Sequence, residues 1–499
     1  MHDLLPNIPN LLNDALSSVH FFMPEIYLGV LFLVVLVTGL VFTRNAGAYC
    51  RIISVVGMLL VIAQDVIQLY LPANEVKALF SGMLLLHHTP VVFKLVIDVL
   101  SILLLIYFAW DKQLRAHKKG LADLFAIAIA SILGLHLMVM SINLLSIYLS
   151  IEFVSLASYL MVAYKTDQGN SAGAGLKYAL FGAAASAVML YGISLLYAFT
   201  GHTDMVVPEF LQNLSKVDPL AVSLALMLVM AGIGFKLSFV PMHFWVPDVY
   251  QGAATPVTAF LSTVPKIAAF GMVLHLIAPF VLHPAWHGFD FKLLFSVIGI
   301  VTMIAGNFAA VMQKNIKRML AYSSIGHTGF ALIAIVSFNQ AAVSALIFYL
   351  AVYALANIGA LMLASHFANV TGAEDVDGYK GLGFTMPTAS VCFVIILISL
   401  TGLPVTAGFI GKVVVFQAAY SVYQQTHNVW LMLLMATGAL TTVVALFYYI
   451  KIPLYLFLKK ADNNHEHHVS TPSLLIAACV ISFLLVLVGV FPDLLGKWL

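Results

Sequence analysis

The chain has 499 residues, 62% hydrophobic and only 9% charged, with a formal net charge of +2 and a mean hydropathy of +1.02. Soluble domains carry roughly a quarter charged residues, so this composition excludes a soluble catalytic domain and indicates a polytopic membrane protein. No basic arm suggests nucleic acid as a partner, and Cys50, Cys392 and Cys479 stand alone in apolar runs, without metal, iron–sulfur or disulfide spacing.

Runs of about 20 apolar residues are long enough to cross a bilayer. Fourteen are predicted, at 22–43, 51–71, 91–110, 121–140, 142–164, 172–200, 219–250, 256–281, 291–312, 318–337, 341–366, 385–424, 430–455 and 472–495. The first lacks a basic flank and a cleavage site, so it reads as a retained helix, not a signal peptide. Residues 1–20 and 201–218 are expected to be short outside segments, and 72–90 a hairpin or surface helix. The loop 461–470 holds His465, Glu466, His467 and His468; it resembles a metal tract but reads as a solvated polar loop. Alternate loops divide lysine and arginine 14 to 5, with Lys94 placed in the poorer set at a helix start. By the positive-inside rule both termini are then expected outside the cytoplasm.

Two spans are interrupted. The stretch 232–256 combines Lys236 with Pro241, and 400–412 combines Pro404 and several glycines with Lys412. Proline removes an amide donor and clashes with the carbonyl four residues back, so each helix must break or kink. Freed carbonyls at membrane depth are tolerated where they are buried in protein or line a wet cavity. A lysine there costs about 2.5–3.5 kcal/mol on insertion scales. Two costly features side by side indicate an ion site. Paired broken helices also point to inverted repeats. The expected fold class is therefore an all-α polytopic membrane protein of about 14 transmembrane helices, with two five-helix inverted repeats, each containing one proline-broken helix. The divisions are 1–120 (three helices), 121–281 (first repeat), 291–455 (second repeat) and 456–499 (a loop and the last helix).

Ionisable residues inside spans generally face an interior and pair with one another. Glu152, Lys236, Lys266 and Lys412 make one acid and three bases at similar depth, and are expected to relay protons. Lys266 is placed about ten residues into the helix after the first break. Lys177 lies near the cytoplasmic end of its span, where it can also snorkel. Of the span histidines His136, His275, His327 and His366, only His327 is a candidate relay, between Lys266 and Lys412; the others read as satisfied by a carbonyl or hydroxyl. Asp65 and Asp98 read as interfacial or helix-contact residues, and Trp245 and Asp248 as fixing the half-helix after the break.

The stretches 232–266, with Phe235-Lys-Leu-Ser238 and Trp245-Val-Pro-Asp-Val-Tyr250, 315–324 and 402–412 resemble the antiporter-like subunits of respiratory complex I. The resemblance covers nearly the whole chain. It implies that Lys236 pairs with Glu152, that Lys266 is the central lysine, and that Lys412 is the terminal ionisable residue. Lysine rather than glutamate at 412, and no long lateral helix after the last span, make the chain most similar to the subunit N branch. The resemblance further implies a bacterial inner membrane, with subunits K and M as neighbours. It implies no cofactor in this chain, with flavin mononucleotide, iron–sulfur clusters and quinone held by other subunits. The alternative is a subunit of an Mrp-type multisubunit sodium/proton antiporter. An autonomous solute transporter is disfavoured, since no substrate-recognition surplus exists beyond the charged axis. A structural scaffold would predict that apolar substitutions along that axis leave ion flux intact.

Overall fold

The computed structural model describes residues 8–42, 45–70, 76–117, 119–165, 169–283, 286, 288–460 and 472–493, so the loop with His465–His468 lies outside the described residues. In chain order the elements are α1 (Ile8–Phe21), α2 (Met23–Val41), α3 (Ala46–Leu69), β1 (Lys77–Leu79), β2 (Leu84–Leu86), α4 (His88–Trp110), α5 (Lys112–Arg115), α6 (Ala122–Met140) and α7 (Leu144–Val162). There follow α8 (Gly169–Thr200), α9 (Pro208–Leu214), α10 (Pro219–Leu237), α11 (Val246–Gly252), α12 (Thr255–Ser262), α13 (Val264–Leu282), α14 (Phe291–Val311) and α15 (Ile316–Ser337). The last are α16 (Gln340–Thr371), α17 (Leu382–Thr385), α18 (Pro387–Thr401), α19 (Ala407–Thr426), α20 (Val429–Phe457) and α21 (Pro472–Val490).

Among the described residues, thirteen crossings are long and apolar enough to span a membrane, with α12 and α13 counted together. The pair α18 and α19 supplies the remaining interrupted one. The segment after α3 is the hairpin β1–β2, antiparallel with Lys77 opposite Leu86. Residues 201–218 contain the short helix α9, and the first 20 residues contribute α1, which sequence reasoning left without structure.

Local chemistry sets the helix ends. Asn143 caps α7 in a capping box with Ser146, and the Asp218 carboxylate accepts from the Leu220 amide at 2.8 Å, each satisfying amides that a helix start leaves orphaned. Pro219, Pro256, Pro265 and Pro387 occupy first-turn positions, where no amide donor is needed. The helices α15 and α16 are almost wholly buried and form the centre, whereas α2, α3, α20 and α21 expose most of their surface.

One close approach in that centre is made by glycine. A Cβ on Gly306 of α14 would stand 2.5 Å from the Gly326 amide nitrogen of α15, and one on Gly329 would stand 2.8 Å from the Met303 nitrogen. Small residues let membrane helices approach backbone to backbone. Gly306→Leu is therefore expected to force α14 from α15, costing about 1–3 kcal/mol by overpacking. The check is a lowered thermal unfolding midpoint of the detergent-purified protein; an unchanged midpoint would contradict the contact.

Candidate functional site

The first interruption lies between α10 and α11. Helix α10 ends at Ser238 in the left-handed region, with φ 63°, and Pro241 falls in the irregular segment that follows. The break's carbonyls find partners: Trp245 Nε1 donates to the Phe235 carbonyl at 3.2 Å, and the Thr328 hydroxyl donates to the Leu237 carbonyl at 3.1 Å. Trp245 also stacks on Tyr178, with ring centroids 4.4 Å apart, so it fixes the half-helix as its position suggested.

Lys236 sits in the last turn of α10, 4% exposed. Its ammonium donates to Ser155 Oγ at 3.3 Å. Ser155 is on α7, three residues after Glu152, so the two share a helix face. Glu152 is half-buried, accepts from the Ser186 hydroxyl of α8, and is within electrostatic reach of Lys236. The anticipated pair is therefore not in direct contact: Lys236 bonds a serine of α7, and Glu152 bonds one of α8.

A second interruption, which sequence reasoning missed, divides α12 from α13 at Thr263 (φ −124°, ψ −86°). Lys266 follows it by three residues instead of lying ten residues into an unbroken helix. Pro265, set beside a lysine, was the available signal. The Lys266 ammonium, 3% exposed, donates to Ser324 Oγ at 2.7 Å, Thr328 Oγ1 at 3.0 Å and the Ser324 carbonyl at 3.2 Å. All three N–H donors are used. Tyr353 donates to Ser324 Oγ at 2.7 Å, and Asn357 donates to the Ser262 hydroxyl at 2.7 Å. Thr328 consequently touches both the Lys266 ammonium and the carbonyl next to Lys236.

The third interruption contains Pro404, between α18 and α19. Helix α18 ends at Gly402, with φ 83°, a conformation glycine adopts without penalty. Lys412, 8% exposed, reaches back and donates to the Thr401 carbonyl at 2.7 Å and to Thr442 Oγ1 at 3.1 Å. Lys236 and Lys412 lie on opposite sides of their breaks in sequence. Both ammonium groups nonetheless lie at the C-terminal end of the first half-helix, where unpaired carbonyls favour a cation.

His327 stands between the second and third lysines. Its Nδ1 is 2.7 Å from the Tyr349 hydroxyl and its Nε2 is 3.5 Å from that of Tyr449. Two small cavities, of about 20 and 10 Å³, are each lined by both His327 and Lys412. About 10–15 Å³ is needed for one water, so the first has room and the second is at the limit. The hydroxyls of Ser155, Ser324, Thr328, Tyr349, Tyr353 and Tyr449 complete the row. Such residues are common in any helix, and sequence alone held no sign of them.

Lys177 of α8 is more exposed, at 56% of its side chain, and pairs with Asp248 at 2.7 Å; Asp248 also pairs with Arg318 at 2.7 Å. Lys177 and Asp248 rim a cavity of about 380 Å³ with Lys165, Lys317 and Glu374. Lys177 therefore belongs to the face rich in basic loops and stands apart from the buried row.

Lys94 and His136 depart from what the sequence suggested. Lys94 is fully buried inside α4 and is not a loop residue, so the poorer set of loops falls to four basic residues. Asp65 and Asp98 are fully buried at contacts between helices, the second of the two readings given for them, and His136 bonds carboxylates and not carbonyls. His275 meets His87, Nε2 to Nε2, at 3.1 Å.

A helical membrane protein with buried lysines at helix interruptions, joined by hydroxyls, is of the ion-translocating, antiporter-like class. Residues 141–442 match the family described as NADH:quinone oxidoreductase/Mrp antiporter, TM. The chain is 36% identical over 492 residues to NADH-quinone oxidoreductase subunit N 2 of Chloroherpeton thalassium, covering 97% of this chain and 94% of that protein. It superposes with a TM-score of 0.77 and 27% identity on a chain of respiratory complex I from Thermus thermophilus, covering 95% and 98% of the two. A chain of the Mrp complex from Dietzia sp. DQ12-45-1b shares the fold alone, with a TM-score of 0.70 at 18% identity over 98% and 94%. The chain belongs to the NADH:quinone oxidoreductase/Mrp antiporter family, in its NADH-quinone oxidoreductase subunit N branch.

Proposed function

We propose that this chain is a proton-translocating membrane-arm subunit of NADH:quinone oxidoreductase, acting as a translocase with no redox chemistry of its own. The observation that carries the reading is the row of three buried lysines, each at a helix interruption and each bonded only to hydroxyls and carbonyls. A cation so held has no fixed counter-charge in direct contact, so a change in the charge of a neighbour shifts its hold on a proton. Glu152 supplies that charge for Lys236, Thr328 and Ser324 connect onward to Lys266, and His327 with its tyrosines leads to Lys412. The cavity beside Lys177 is the access route from the basic face.

That face is the cytoplasmic one, which puts both termini on the outer side of a bacterial inner membrane. Residues 121–281 and 291–455 act as inverted five-helix repeats, with subunits K and M as neighbours. Flavin mononucleotide, iron–sulfur clusters and quinone sit in other subunits. Relatives named as N subunits, over nearly the full chain, favour this reading over the Mrp-type antiporter. Purification through a tag on this chain separates the two: flavin and iron–sulfur proteins should accompany it, and small antiporter subunits in their place would reject the assignment.

Lys412→Ala tests the far end of the row. In vesicles holding the assembled complex, NADH-driven proton movement is expected to fall severalfold, less than for the lysines nearer the centre, because the adjoining cavity has room for a water that would offer another way out. Full pumping would remove Lys412 from the path.

A further inference from the structure

The helices α2, α3, α4 and α6 enclose a second group of charged residues, which the lysine row does not use. Lys94 of α4 donates to Glu25 Oε1 of α2 at 2.9 Å and to Gln68 Oε1 of α3 at 2.8 Å, and lies 2.7 Å from Asp65 Oδ1 of α3. His136 of α6 contacts Glu25 Oε1 through Nδ1 at 3.1 Å and Asp98 Oδ1 of α4 through Nε2 at 2.9 Å. Glu25, Asp65, Lys94, Asp98 and His136 are all buried, at 0–1% exposure.

A count of donors exposes a deficit. An ammonium has three N–H groups, and those of Lys94 are all engaged; an imidazolium has two, and both ring nitrogens of His136 face carboxylates. Yet Glu25 Oε2, Asp65 Oδ2 and Asp98 Oδ2 are buried with no hydrogen-bond partner, and Asp65 Oδ1 has only its 2.7 Å ion pair with Lys94. With His136 charged, three carboxylates face two cations and leave one negative charge; with His136 neutral the excess is two. A buried, uncompensated charge without donors is strongly unfavourable. One oxygen each from Glu25 and Asp65 and a nitrogen of His136 lie within 4.8 Å of one another, and His136 links Asp98 to them, so neutralising any one carboxylate balances the group. Lys94 already fills the place of a coordinated metal, and His136 has no free lone pair to offer one. A proton is the ligand that fits.

We propose that this cluster is a second proton-binding site, holding one exchangeable proton on one of its three carboxylates, Glu25, Asp65 or Asp98. It is independent of the lysine row. A path toward it is marked by Ser101, Ser131 and Ser54, whose hydroxyls are buried and without a partner. Lys94, Asp98 and Ser101, at spacings of four and three, share one face of α4. Ser101, Ser131 and Ser54 lie about 5, 8 and 16 Å along their helices from Asp98, His136 and Asp65, toward the basic face. Each hydroxyl is a place where a water can bond. Other acidic or basic residues on these helices and those packed on them are Arg51 of α3, His88 of α4, Lys112 and Arg115 of α5, Asp123 of α6, Glu152 of α7, Lys266 and His275 of α13 and His366 of α16.

The experiment is pH-induced infrared difference spectroscopy on the assembled, purified complex. Wild type should show a protonated carboxylic acid stretch that disappears as pH rises and does not respond to exchanging choline for sodium at fixed pH. Asp65→Asn, Asp98→Asn or Glu25→Gln should remove it. His136→Gln leaves the carboxylates in place and takes away a cation, so the band's midpoint should rise by at least about one pH unit. If the amide variants do not assemble, that midpoint decides. The same band in all three amide variants, an unmoved midpoint in His136→Gln, or displacement by sodium in wild type would each overturn the proposal.

Discussion

Lys236→Ala in the assembled complex is expected to lower NADH-driven proton movement at least tenfold, and quinone-linked NADH oxidation with it, while assembly is preserved. The reason lies in how little holds the ammonium. It is 4% exposed, at the C-terminus of a half-helix, with one hydroxyl at 3.3 Å. Desolvation disfavours the charge, while the half-helix carbonyls and Glu152 favour it. Near such a balance a modest displacement moves the proton, since about 1.4 kcal/mol corresponds to a tenfold change in occupancy. Alanine removes the carrier and leaves the neighbouring carbonyls with the partners they already have, Trp245 and Thr328. The fold is therefore expected to survive. Glu152→Gln keeps the hydrogen bond from Ser186 and removes only the charge, so its effect should have the same sign and be smaller. If Glu152 acts through Lys236, the double variant should be no worse than Lys236→Ala alone, a failure of additivity that marks coupling. Normal pumping in Lys236→Ala, or additive losses in the double variant, would break the assigned pair.

Much of this was legible in the residues. Apolar runs place the crossings, because in hydrocarbon only helices or closed barrels satisfy the backbone. Pro241 and Pro404 mark two interruptions, because proline cannot continue the hydrogen-bond ladder. Lys236, Lys266 and Lys412 stand out because charge at that depth is costly. The missing parts share one physical cause: they depend on which helices pack together. Thr328 joins two lysines that precede it by 92 and 62 positions, and no local pattern encodes that meeting. The same holds for Glu25, Asp65, Lys94, Asp98 and His136. They are spread over four spans, and taken singly Asp65 and Asp98 fit an interfacial or helix-contact role and His136 a bond to a carbonyl or hydroxyl. Only the packing of α2, α3, α4 and α6 turns them into one buried group. Lys266 is a different case, because Pro265 beside it carried the signal of a third interruption within the sequence.

Lys266→Arg separates a lysine that must release its proton from one that only supplies charge. The ammonium is enclosed by Ser324 Oγ at 2.7 Å, Thr328 Oγ1 at 3.0 Å and the Ser324 carbonyl at 3.2 Å, at 3% exposure. Arginine keeps the positive charge and can donate to the same oxygens, so a merely structural cation would be largely replaced. Arginine is also permanently protonated in proteins, whereas a buried lysine shifts its protonation readily. A relay therefore stops. Proton movement is expected to fall more than tenfold in Lys266→Arg, close to the loss in Lys266→Ala, with NADH oxidation slowed in parallel. The guanidinium is larger, and overpacking costs about 1–3 kcal/mol, so the thermal midpoint of the complex is measured alongside. Ser324→Ala in the arginine background opens space at the contact and should restore that midpoint without restoring pumping. Recovery of pumping in either arginine variant would show that charge alone suffices at position 266, and the relay would have to bypass it.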